Sequence, residues 1–148
     1  MAWISITTDD VKTRLAGAEV TALQSAALAA GQTDPLPEII AQVVDEVRGY
    51  VAAAGATLGA AGTIPQKLLS AALAIIRYRI CTRLPVKSFL NEDRVRENDA
   101  ALRLLEKVAD RKFLVEEPTV ADTEVGGGPG PSFNEKTRTF DGDSQDGI

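Results

Sequence analysis

Residues 64–84 read IPQKLLSAALAIIRYRICTRL. Leu69, Leu73, Ile76, Ile80 and Leu84 recur at steps of three and four, which makes one stripe of an α-helix, and Leu68, Ala72 and Ile75 widen it. Pro85 excludes helical geometry at Leu84 and so sets the far end. At the near end Thr63 and Gln66 are spaced as a capping box, with Pro65 in the first turn, so the spacing predicts a helix from about residue 64. A helix this apolar belongs at the centre of a core. Yet Arg77, Arg79 and Arg83 occupy its last two turns, at the margins of the stripe: Arg79 and Arg83 on the Ala72/Ile75 side, Arg77 at the other edge. Two accounts fit. Cations favour a helix carboxyl end and their stems cover apolar surface. Alternatively, the guanidinium forks pair with carboxylates across a subunit boundary.

The flanking sequence adds four more helices. ISITTDDVKTRL offers Thr7 as a cap, Asp10 three residues on, and Ile6 and Val11 as a hydrophobic staple, giving a short helix over about 8–16. Gly17 interrupts it, and an alanine-rich helix ending at Gly31 follows. After Asp34 and two prolines, Ile40, Val43, Val44, Val47 and Val51 mark a helix over about 37–54, with Asp45, Glu46 and Arg48 on the opposite face. Gly55, Gly59 and Gly62 then form a connection read as flexible. The last helix starts near Asn91, with Glu92 and Asp93 suited to its amino end, and closes with Arg111 and Lys112. Val95, Leu102, Leu105 and Ala109 are its stripe. Asn98 intrudes on that stripe, either as an edge residue or as a buried polar group that fixes pairing register.

The fold expected is therefore all-α, about five helices of which two or three are long. Aliphatic-rich composition with only 5% aromatics agrees with packed helices. Residues 1–115 make the helical domain. Residues 116–148 form an acidic tail with a Gly/Pro cluster at 126–131 and too little apolar surface to fold alone. Val120, Val125, Phe133 and Phe140 are its few apolar anchors, and they are the expected docking points of a tail that orders on a partner. The longest strongly apolar run, Leu68 to Ile76, is nine residues, far short of the about 20 that a bilayer requires, so no membrane role is expected.

Charge and chemistry narrow the function. The net charge is −5, but residues 63–112 carry 11 basic and 6 acidic side chains, a local surplus of five cations between acidic segments. Clustered cations bind phosphates by releasing counterions, and an acidic chain is a poor stand-alone DNA binder. The chain contains no histidine and a single cysteine, Cys81, inside the central helix. Cys81 reads as a small packed residue, and no disulfide framework is possible. The carboxylate pairs Asp9/Asp10 and Glu92/Asp93 sit at helix starts, where the dipole accounts for them. No catalytic, metal or cofactor site is expected, and hence no enzyme.

IPQKLLSAALAIIRYRICTRL, then EDRVRENDAALRLLEKVADRKFLV at 92–115, after the N-capped TTDDVKTRL at 7–15, resembles the small head-tail adaptor (neck, connector) proteins of tailed phages and prophages, in their Mu-like branch. The resemblance covers about residues 4–115. It implies an all-helical protomer that assembles in the host cytoplasm into a homo-oligomeric ring at the virion neck. The partners implied are a portal protein on one side, a tail or tail-completion protein on the other, and DNA passing through the channel without sequence-specific binding. Arg77, Arg79, Arg83, Asn98 and Arg103 are the expected subunit-contact residues. The glycine-rich AAAGATLGAAGT at 52–63 and the tail after Pro118 depart from the pattern. The rival expectation is a small DNA-packaging accessory or regulatory DNA-binding protein that uses the basic surface of residues 63–112. Salt dependence separates the two, because phosphate binding weakens steeply with salt and apolar association does not.

Overall fold

The computed structural model describes residues 2–29, 31, 33–84 and 89–119. Along the chain run β1 (Trp3–Ser5), α1 (Thr8–Lys12), α2 (Gly17–Ala29), α3 (Leu36–Ala53), β2 (Thr63–Pro65), a 3₁₀ turn (Gln66–Leu68), α4 (Leu69–Arg83) and α5 (Glu92–Ala109). The protein is all-α in class, with five α-helices and one small strand pair among the described residues.

Helices α3, α4 and α5 pack against one another pairwise and enclose the core. α3 buries Leu36, Ile39, Ile40, Val43, Val44, Val47 and Val51, a single stripe at helical spacing. α4 is buried on most sides, through Ala71, Ala72, Leu73, Ile75, Ile76, Ile80 and Cys81, as its near-continuous apolar sequence demands. α5 contributes a seam of Asn98, Ala101, Leu105 and Val108, with Leu102 and Leu104 half-buried against the core. Of the expected stripe Val95, Leu102, Leu105 and Ala109, only Leu105 is fully buried, because the seam is rotated to the Asn98/Ala101 side. Fully burying one such aliphatic side chain is worth about 1.5–3 kcal/mol.

Local signals place the helix ends. Thr7 caps α1 in a complete capping box with Asp10, whose Oδ2 accepts from the Thr7 amide at 2.8 Å. Those hydrogen bonds, from the hydroxyl and then the amide, hold the Asp10 carboxyl below its ordinary value. Asp34 Oδ1 accepts from the Leu36 amide (3.0 Å) at the start of α3, and Asn91 Oδ1 accepts from the Arg94 amide (3.0 Å) at the start of α5. α4 stops at Arg83, and Leu84 is extended (ψ 141°), as a residue preceding proline must be.

Three further expectations are corrected. The Thr63/Gln66 capping box does not form: β1 pairs antiparallel with β2 (Trp3 with Pro65, Ile4 with Ile64, Ser5 with Thr63), the Thr63 hydroxyl donates to Ala60 O, and the α-helix proper starts only at Leu69. The ladder pulls residues 63–65 into extended backbone, which overrides the local cap. α5 ends at Ala109, so Arg111 and Lys112 lie beyond it in a Schellman reversal. There the Arg111 amide donates to Val108 O (3.0 Å) and the Lys112 amide to Lys107 O (2.8 Å), with Arg111 at φ 60°, a position that usually holds glycine. α1 is also shorter than expected, because residues 13–16 turn to let α2 begin at Gly17.

Candidate subunit interface and the arginine clusters

The arginines on α4 find partners inside the chain. Arg77 pairs with the Glu97 carboxylate on α5 and donates to Arg14 O on the turn after α1 (3.4 Å), while Arg79 pairs with Glu46 on α3. The carboxylates sought on a neighbouring subunit are thus supplied by the protomer itself, bracing α4 against both packing partners. Arg83, at the last position of α4, and Arg103, on the outer side of α5, are exposed and form no ion pair among the described residues. Asn98 is only 8% exposed and lies on the seam that α5 turns to the core, so it belongs to the protomer's interior. Val120, Val125, Phe133 and Phe140 lie outside the described residues.

Two clusters that sequence reasoning missed hold the periphery. In the first, Glu19 is 1% exposed, at the third position of α2. One of its carboxylate oxygens accepts from the Ala16 amide (2.9 Å) as a helix cap; the other pairs with Arg94 of α5. Arg94 also donates to Phe89 O and to Cys81 Sγ (3.1 Å), so α2, the end of α4 and the approach to α5 meet at one guanidinium. Burial pushes the Cys81 thiol up, and Arg94 opposes that only in part. A disfavoured thiolate is the reverse of what a nucleophilic cysteine needs. Burial also works against the Arg94 charge, but Glu19 and Cys81 outweigh it and raise the guanidinium above its ordinary value. The legible signal was Glu19 three residues after Ala16, the reach-back position of a cap.

The second cluster centres on Arg48, assigned from its spacing to a solvent face. Its guanidinium donates to three carbonyls, Ala60 (2.8 Å), Thr63 (2.7 Å) and Gly59 (3.1 Å), and stands 5.6 Å from the Trp3 ring centre. The glycine connection read as flexible is therefore pinned at three points. Gly59 lies against the indole so closely that an added Cβ would be 2.8 Å from Trp3 Cδ2. Trp3 Nε1 in turn donates to Glu116 O (3.0 Å), tying the amino-terminal strand to the segment that follows α5.

Between α4 and α5 runs an open groove with small residues on its floor, among them Ser70, Ala71, Ala74, Ala100 and Ala101. Arg14, Lys67, Arg77 and Glu97 form its rim. On another side, Leu114 is 78% exposed beside the Schellman turn. Among the described residues no group of three or more candidate ligands could hold a metal ion, and no helix is long and apolar enough to cross a membrane.

The protomer thus carries exposed Arg83 and Arg103, the solvent-facing Leu114 and an open groove between α4 and α5 on its surface. No curated protein and no solved structure matches the chain. A family model does match, that described as Bacteriophage Mu, Gp36, over residues 6–130. That span takes in every helix, both halves of the Glu19–Arg94 pair and the Arg48 clamp, and on this ground the chain belongs to the Bacteriophage Mu Gp36 family, a phage protein of Mu-like type.

Proposed function

We propose that the protein is a structural, non-catalytic component of the virion: a head-tail adaptor that forms a homo-oligomeric ring at the neck, between the portal protein and the tail or tail-completion protein, and continues the DNA channel. The observation that carries this reading is the family match over residues 6–130. The physical chemistry agrees with it. A conduit must not grip DNA, and a net charge of −5 suits a channel wall. The rival DNA-binding reading draws on the basic surplus of residues 63–112, but within that stretch Arg77, Arg79, Arg94, Arg96 and Lys112 all have carboxylate partners. Cations already neutralised in place release few counterions from a phosphate backbone.

With Asn98 buried and Arg77 and Arg79 paired internally, Arg83, Arg103 and Leu114 are the side chains we assign to contacts between copies or with the portal. The test is genetic. A stop codon early in the gene of a producing phage or prophage should yield DNA-filled heads and free tails that do not join, with joining restored by the gene in trans. Joined, infectious particles at the normal yield would overturn the proposal.

A further inference from the structure

The groove between α4 and α5 has an asymmetric rim: three cations, Arg14, Lys67 and Arg77, against one carboxylate, Glu97. Glu97 is spent on Arg77, whereas neither the Arg14 nor the Lys67 side chain has a carboxylate partner among the described residues. Between the charged residues the lining is alanines and a serine together with Leu73 and Leu104, an apolar strip open to solvent. A groove of this kind suits a narrow, acidic segment of chain with one apolar side chain to bury.

The sequence contains such a segment. Residues 140–148 read FDGDSQDGI, with carboxylates at Asp141, Asp143 and Asp146, no cation, and Phe140 at its head. It lies beyond residue 130, where the family match ends. Reach is sufficient. The segment after α5 is anchored at Glu116 O by Trp3, and the strand partner of Trp3, Pro65, stands two residues before the rim cation Lys67. The described chain ends at Thr119, and the 21 residues from there to Phe140 can extend to about 70 Å. That is several times the radius of gyration, about 14 Å, of a domain of this size.

We infer that the α4/α5 groove is the docking site of the chain's own acidic segment 140–148, with its carboxylates on Arg14 and Lys67 and Phe140 against the apolar strip. The inference is independent of the neck assignment, because it concerns one molecule before any partner is met.

A zero-length carbodiimide cross-link, which joins an amine to a carboxylate in contact with it, tests this on the unaltered full chain. Lys67 should couple to Asp141, Asp143 or Asp146 several-fold more than Lys12 or Lys107 does, and the product should fall as salt rises to about 1 M, where the Debye length is about 3 Å. In an equal mixture of ¹⁴N- and ¹⁵N-labelled protein the linked peptides should share one isotope. Arg14→Glu, an exposed substitution, should lower the yield several-fold. A Lys67 yield no greater than that of the other two lysines, or linked peptides of mixed isotope, would overturn the inference.

Discussion

The core and the periphery of this protein are held by different physics. In the α3–α4–α5 triangle, aliphatic side chains exclude water, and the stabilisation is non-directional and spread over many residues. At the periphery, β1, the 54–62 connection and α2 are each tied down by a few directed contacts: Arg48 on three carbonyls, Trp3 on Glu116 O, and Arg94 on Glu19, Cys81 and Phe89 O. The difference concerns how loss is distributed. Trimming one core methyl weakens a shared quantity, whereas removing one guanidinium takes away several contacts of one segment at once.

The sharpest way to break the comparison is at Arg94. Replacing it with alanine leaves the Glu19 carboxylate buried and unpaired, which should cost about 3–5 kcal/mol in urea unfolding. The double change Arg94→Met with Glu19→Leu should recover much of that, since a buried pair is often no better than apolar packing. A loss below about 1 kcal/mol in the single variant, the range of exposed pairs, would put the cluster in the same class as surface ion pairs. Next, Gly59→Ala drives a methyl into the Trp3 indole and should cost about 1–3 kcal/mol. Tryptophan fluorescence should shift to the red as the indole loosens, and an unchanged spectrum with unchanged stability would mean that the connection yields freely. The smallest effect is expected at Arg111, which holds a left-handed conformation at φ 60°. Arg111→Gly should stabilise by up to about 1 kcal/mol, because a left-handed residue other than glycine costs about 1–2 kcal/mol. The gain is reduced by losing the guanidinium now resting on Gly55, where an added Cβ would be 3.0 Å from Arg111 Nη2.

The same division explains what could be read from sequence. The stripe Val43, Val44, Val47 and Val51 placed α3 to within a residue at each end, and Asn91 placed the start of α5, because periodicity and caps are local properties. Three-residue strands carry no usable period, and the partner of Trp3 lies about sixty positions away, so β1 and β2 were illegible. The local hint at Thr63 and Gln66 pointed to the wrong structure for that reason. At the candidate interface, the positions of Arg77 and Arg79 beside the apolar stripe were correctly inferred. Their partners were not, since Glu46 and Glu97 are distant in sequence and only the packing of α3 and α5 on α4 brings them near.

The neck assignment is tested most directly by cryo-electron microscopy of the head-tail junction in particles of the phage or prophage that encodes this chain. The account predicts a ring of identical helical protomers between portal and tail, into which α3, α4 and α5 fit as one body with Arg83 and Arg103 at contacts. A junction fully occupied by other proteins, in particles that lack this polypeptide by mass spectrometry, would contradict it.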